Sequence, residues 1–179
     1  MSPIPHMASK SSKGLKRRTR NPSPSSEAAL KRMQAAKPRD TAPEMALRSA
    51  LHNKGLRFRI DQKPIKELNR KADIVFRSVR VAVFVDGCFW HGCPIHGTQA
   101  KANAEFWKKK IEQNRARDLD TNKQLKKAGW RIVRVWEHED TEKVSQRIYS
   151  IVAKRTHKNV SSRPTLAPSR RASLRSARG

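Results

Sequence analysis

The chain has no apolar run approaching the roughly 20 residues that a membrane-spanning helix requires. Its basic N-terminus also lacks the apolar stretch of a secretory signal. It has only two cysteines, Cys88 and Cys93. Set so close together and beside histidines, they suit a metal clamp in a reducing cytosol better than a disulfide. Acidic residues are scarce, 15 against 41 Lys and Arg, so the formal net charge is +26 and a polyanionic partner is implied. A membrane surface would call for an amphipathic helix or a lipid signal, and neither is evident. Nucleic acid is therefore the expected partner. With 179 residues there is room for one domain with a real core, but not for two large ones.

The charge is uneven. Residues 1–40 hold ten Lys or Arg against Glu27 and Asp40, and residues 154–179 hold eight with no acid. Both ends are rich in Ser, Pro and Arg and poor in large apolar residues, so they cannot bury enough surface to offset chain entropy. The expected organisation is a disordered basic tail over 1–32, a folded domain over 33–153 and a second disordered basic tail over 154–179. Either tail is a solubilising segment, a non-specific phosphate contact, or both.

Within the folded part, Thr41-Ala-Pro-Glu44 has the form of a capping box, with Pro43 in the first turn. Met45, Leu47, Ala50 and Leu51 make a helical apolar face, and Gly55 is a stop. Leu56–Ile60 alternates as a strand. ADIVF (72–76) and VAVFV (81–85) read as a central antiparallel hairpin. A long helix is predicted from an N-cap at Asn103 to Ala128, its apolar residues Phe106, Trp107, Ile111, Leu119 and Leu125 sparse among charges. Trp130–Trp136 alternates, with Trp130, Ile132 and Arg134 on one face and Val133 and Val135 on the other. Val144, Ile148, Ile151 and Val152 stripe a last helix. The expected fold class is α/β, a mixed central sheet flanked by helices.

The chemistry is concentrated in VAVFVDGCFWHGCPIH (81–96). Cys88, Cys93 and His96 supply three zinc-type ligands, and zinc normally takes four. His138, just beyond the strand that ends at Trp136, is the best fourth ligand because neighbouring strand ends converge; Asp86, Glu137 and His91 are weaker choices. The alternative is two buried free cysteines beside unrelated histidines. Asp73 lies near the start of an otherwise apolar strand, where a carboxylate is costly unless paired or binding a cation. An oxygen ligand there suits magnesium beside phosphate. Its alternative is pairing with Arg70 or Lys71. The capping box alone could account for Glu44. As a free imidazole, His91 could deprotonate water at neutral pH; its alternative is the fourth zinc position. Phe89 and Trp90 are adjacent in a chain of only ten aromatics, and Trp107 opens the long helix or fills core.

RDTAPE (39–44), ADIVF (72–76), VFVDGCFWHGCPIHG (83–97), EFWKKKIEQNRARD (105–118) and GWRIVRVWEHE (129–139) together resemble the very-short-patch-repair (Vsr) DNA mismatch endonucleases. The resemblance runs in unbroken order over about residues 33–152. It implies a single restriction-endonuclease-like domain that nicks double-stranded DNA beside the thymine of a T·G mismatch, the product of 5-methylcytosine deamination. It further implies Asp73 and the Val85 main-chain carbonyl as magnesium (Mg2+) ligands, His91 as general base and Glu44 ordering the attacking water. Cys88, Cys93, His96 and His138 fall on the family's structural zinc (Zn2+) positions. Phe89, Trp90 and Trp107 fall where intercalating aromatics lie, and Met33 where an N-terminal wedge lies. Val83-Phe84-Val85 lacks the Glu-x-Lys of many related nucleases, as is typical of this branch. Asp86 stands where some members have histidine, and is read as a catalytic-site residue that helps hold metal. The resemblance also implies a cytosine-5 DNA methyltransferase system and mismatch-repair proteins as functional partners. A monomer acting in the bacterial cytoplasm at the nucleoid is expected. The rival readings are a same-fold nicking nuclease with another DNA target and a catalytically inactive, zinc-stabilised DNA-binding module. The joint presence of Asp73, Glu44 and His91 argues against the inactive module.

Overall fold

The computed structural model describes residues 39–97 and 100–161, with isolated positions between 23 and 34. Met33 and most of both basic tails lie outside the described residues. The elements run α1 (Ala42–Asn53), β1 (Arg59–Gln62), β2 (Ala72–Phe76), β3 (Val81–Asp86), α2 (Cys88–His91), α3 (Ala104–Lys127), β4 (Arg131–Trp136) and α4 (Thr141–Ser161). The sheet order is β1-β2-β3-β4. β2 pairs antiparallel with both β1 and β3, whereas β3 and β4 run parallel, so the sheet is mixed. Parallel neighbours need a crossover, and α2 and α3 supply it.

Alternation along the strands gives each face its own core. Val81 and Val83 of β3 join Val133 and Val135 of β4, Leu47 and Leu51 of α1, and Val144, Ile148 and Val152 of α4. Ala82 and Phe84, one register step away, face Leu125 of α3 together with Leu68 and Trp130. Strand parity therefore puts Asp73, which shares a face with Val75, on the α3 side. Asp86 follows Phe84, and Arg134 follows Ile132, to that same side. Three polar side chains thus converge under one helix.

The expected hairpin is present and central, and of the stripe on the last helix Val144, Ile148 and Val152 are buried and Ile151 partly so. Several details differ. The first strand starts at Arg59 because Leu56 and Phe58 are spent on packing, Phe58 lying against His52 and Phe76. Thr41 caps no backbone N–H; its hydroxyl donates instead to Glu44 Oε1 at 2.9 Å. Asn103 holds the N-cap position of α3 with φ 56° and makes no side-chain cap. Leu119 is exposed, and Asn114 and Thr121 are buried on α3 in its place. α4 continues past residue 153 to Ser161, because Arg155 donates to the Val79 and Gly129 carbonyls and ties a polar turn to the body. No helix among the described residues is long and apolar enough to cross a membrane.

Candidate active site and metal centre

Where β3 and β4 end side by side, with Asp86 opposite Trp136, the chain after each strand meets the other. Cys88 and Cys93 come from the β3 side and His138 from the β4 side. Their ligand atoms and that of His96 all lie within 4.8 Å of one another. Cys88 Sγ is 3.0 Å and Cys93 Sγ 3.8 Å from His138 Nδ1, and the His96 and His138 rings lie 4.3 Å apart. A tetrahedral zinc with its usual bond lengths separates its ligands by about 3.3–3.8 Å, so this donor set fits zinc in both chemistry and size. Gly97 makes the tight return possible: a Cβ there would collide with the Cys93 carbonyl oxygen.

His91 does not join that group. Its Nδ1 lies 2.6 Å from Asp118 Oδ2 on α3 and 3.8 Å from Asp86. Burial raises the Asp118 carboxyl, but the His91 hydrogen bond and the Arg134 charge outweigh it and hold the group below the usual carboxylate range. A carboxylate that stays ionised at Oδ2 requires a proton on Nδ1, which leaves Nε2 as the nitrogen able to accept one. Arg134 donates to Asp86 at 2.6 Å and pairs with Asp118 at 2.9 Å while its guanidinium covers the Phe84 ring. Although Asp86, His91 and Asp118 are spaced closely enough to hold a metal, Arg134 already compensates both carboxylates.

Asp73 is different. Arg70 pairs with Asp120 and Lys71 with Asp61, so neither serves it. Asp73 accepts only the Val85 N–H, at 2.7 Å, and forms no ion pair among the described residues. Burial pushes its carboxyl up to about 6; the Val85 hydrogen bond lowers it, and the Glu44 and Asp86 charges raise it again. The Arg48 charge lowers it only in part, and a carboxylate with no ion pair of its own, within reach of two others, is a place where a divalent cation fits. A cavity of about 430 Å3 holds Asp73, Val85, Asp86, His91, Asp118 and Arg134 on one wall or another.

Glu44 is near enough to act on Asp73 electrostatically, yet its oxygens are engaged. Oε2 accepts from the Asp40 N–H at 3.1 Å and from Arg48 at 2.7 Å, and Oε1 from Thr41. In this arrangement it organises the start of α1. Phe89 and Trp90 sit on the short helix α2, not in an open loop. They pack edge-on with Trp107 at 5.1 and 5.7 Å, and Trp90 remains 42% exposed.

Sequence reasoning missed Asp118 and Arg134. The signal for the first was a polar stripe: Asn114, Asp118 and Thr121 precede the buried Leu125 at helical spacing on α3. Arg134 was visible as the charged member of an apolar strand face. Asn114 and Arg115 were also passed over. Asn114 donates to the Trp90 carbonyl, and Arg115 to those of His91 and Gly92, clamping the end of α2 to α3.

A mixed sheet that presents an acid cluster, a histidine–aspartate pair and a guanidinium in one cavity of a basic protein fits the needs of a nuclease. A family model described as DNA mismatch endonuclease Vsr matches residues 25–96. Type II nicking enzyme V.NaeI of Lentzea aerocolonigenes is 46% identical over 123 residues, covering 68% of this chain and 74% of that one. Type II nicking enzyme V.XorIIP of Xanthomonas oryzae pv. oryzae is 46% identical over 109 residues, 60% of this chain and 77% of the other. DNA mismatch endonuclease Vsr of Escherichia coli is 38% identical over 109 residues, 60% and 67% respectively. The chain belongs to the Vsr family of DNA endonucleases.

Proposed function

We propose that this endonuclease nicks one strand of DNA beside the thymine of a T·G mismatch, with magnesium, on a restriction-endonuclease-like domain. The observation that carries it is the lone Asp73 carboxylate facing the His91–Asp118 pair in one cavity. Asp73 and the Val85 carbonyl would hold the metal, which when bound stabilises charge on the phosphate and acidifies its water. His91 Nε2 takes the proton of the attacking water, and Asp118 fixes the tautomer and balances the imidazolium that forms. Arg134 pairs with both Asp86 and Asp118 and orients Asp118 toward His91. Asp86 thereby acts through Arg134. Support for mismatch recognition comes from the part-exposed aromatic cluster and from the relative named DNA mismatch endonuclease. A second reading, strand nicking at another DNA target, is favoured by the 46% identity to relatives named type II nicking enzymes. Nicking of matched and T·G duplexes, with and without magnesium, separates the two. Equal rates on both duplexes would remove mismatch specificity.

Replacing His91 with alanine should lower single-turnover nicking by roughly 100- to 10,000-fold while zinc content and fold persist. Asp118→Asn should act in the same direction by disturbing the tautomer. If His91→Ala lost an equivalent of zinc instead, the roles of His91 and His138 would have to be exchanged.

The aromatic cluster makes a separate prediction. A wedge between base steps must unstack them at a few kcal/mol per step, and a mismatched pair lowers that cost. Trp90→Ala or Trp107→Ala should keep fold and zinc but lose preference for T·G over matched DNA, read as affinity at one fixed salt concentration. Equal weakening on both duplexes would assign the cluster to packing or general binding.

A further inference from the structure

Beside the catalytic cavity lies a larger open groove of about 720 Å3 that none of the proposed chemistry uses. Its walls carry Arg39, Lys63, Lys66, Lys71 and Arg77, with Asp61 the one acidic residue among them. Asp61 bonds Lys71 and Arg39, and Arg77 donates to the Lys63 carbonyl. The ammonium groups of Lys63 and Lys66 have no ion pair or hydrogen bond among the described residues, and both side chains are exposed. The segment bearing them is nonetheless anchored: Pro64 and Leu68 are buried and Ile65 packs on the α3-side core. The two free cations are therefore held out from a fixed support.

Lys71 lines both cavities. It precedes Asp73 by two residues, about 7 Å at strand rise, so the groove begins where the reaction cavity ends. A DNA strand carries a phosphate about every 3.4 Å of helix axis, so a backbone crossing Asp73 and continuing past Lys71 enters the groove with more than one charge. The groove is too open to enclose a small anion, and its cations are spread along it.

We propose that this groove is a phosphate track for the DNA strand flanking the scissile phosphate, with Lys63 and Lys66 as its contact residues. The inference rests on the nuclease reading of the adjoining cavity. It assigns these lysines to backbone binding without sequence preference, separate from the aromatic cluster.

The test measures the salt dependence of binding of the full chain to matched and T·G duplexes. The comparison is Lys63→Ala/Lys66→Ala against Lys143→Ala/Lys154→Ala, a pair of exposed lysines on α4. The groove variant should reduce the slope of log affinity against log salt by about 2, equally on both duplexes. The α4 variant should leave the slope near that of the parent. An unchanged slope in the groove variant, or an equal fall in both variants, overturns the track. A selective fall in a protein that nicks neither duplex would leave the track standing and overturn the proposed activity.

Discussion

Asp73→Asn should give a protein that no longer nicks DNA but, without metal, is more stable at neutral pH than its parent. Both effects have one cause. The carboxyl has a folded-state pKa of about 6, against 3.8 unperturbed, chiefly from burial. Between those values the folded state binds more protons than the unfolded one, so stability falls as pH rises. This contribution is fully present below about pH 4 and is lost as pH rises through 6. By pH 7 the ionised side chain costs on the order of 3 kcal/mol. Asparagine can still accept the Val85 N–H and carries no charge to repel Glu44 and Asp86. On the proposed reading, a cation bound at Asp73 offsets this cost in the parent. Magnesium should accordingly raise the thermal midpoint of the parent by mass action and leave that of the variant unmoved. Losing the metal removes several kcal/mol of charge stabilisation, a fall of roughly a thousandfold or more in rate. Thermal melts at pH 5 and pH 7, with and without magnesium, combined with a nicking assay, read all of this. A variant that still nicks, or a parent whose melting ignores magnesium, would place the metal elsewhere.

The features legible in the sequence were those with a local period. β2 and β3 announced themselves as β-branched runs, α4 as a stripe from Val144 to Val152, and the cysteine–histidine group as a spacing within nine residues, 88 to 96. His138 was found because adjoining strands end together, an inference from topology. What stayed hidden were pairings between elements. Asp118 bonds His91 across 27 positions and Arg134 bonds Asp86 across 48, and no period links such residues. Glu44 departs from its pattern for a different, local reason. The helix start is where the capping-box pattern puts it, but the box itself does not form: Glu44 instead accepts from the Thr41 hydroxyl, the Asp40 N–H and Arg48 one turn on. Leu119 failed because α3 buries polar residues over the reaction cavity, where an apolar stripe would ordinarily run. A site written on a helix replaces the pattern that would otherwise identify its buried face.

Cys93→Ser should cost both stability and activity, and the pair of losses distinguishes it from every substitution in the reaction cavity. Cys88 and Cys93 bracket α2, the four-residue helix that carries Phe89, Trp90 and His91. So short a helix has almost no intrinsic stability, and its conformation depends on what closes it. Gly92 ends it with φ 61°, Asn114 and Arg115 bind its last carbonyls, and the proposed zinc fastens the chain on either side to His138. Metal binding that exists only in the folded state adds directly to folding free energy. Removing a thiolate ligand should release the metal and lower stability by about 3 kcal/mol, roughly 10 °C in thermal midpoint for a body of this size. The core around Ile148 and Val83 does not depend on zinc, so the variant should remain folded at low temperature. There it should bind DNA through its charge but neither prefer T·G nor nick at the parental rate, since the aromatic cluster and His91 lose their common support. The measurements are metal content of the purified protein, thermal melting, and nicking at a temperature well below the variant's midpoint. A folded Cys93→Ser protein that contains no zinc yet nicks with full selectivity would show that the four side chains merely pack together, and that α3 alone holds the catalytic helix in place.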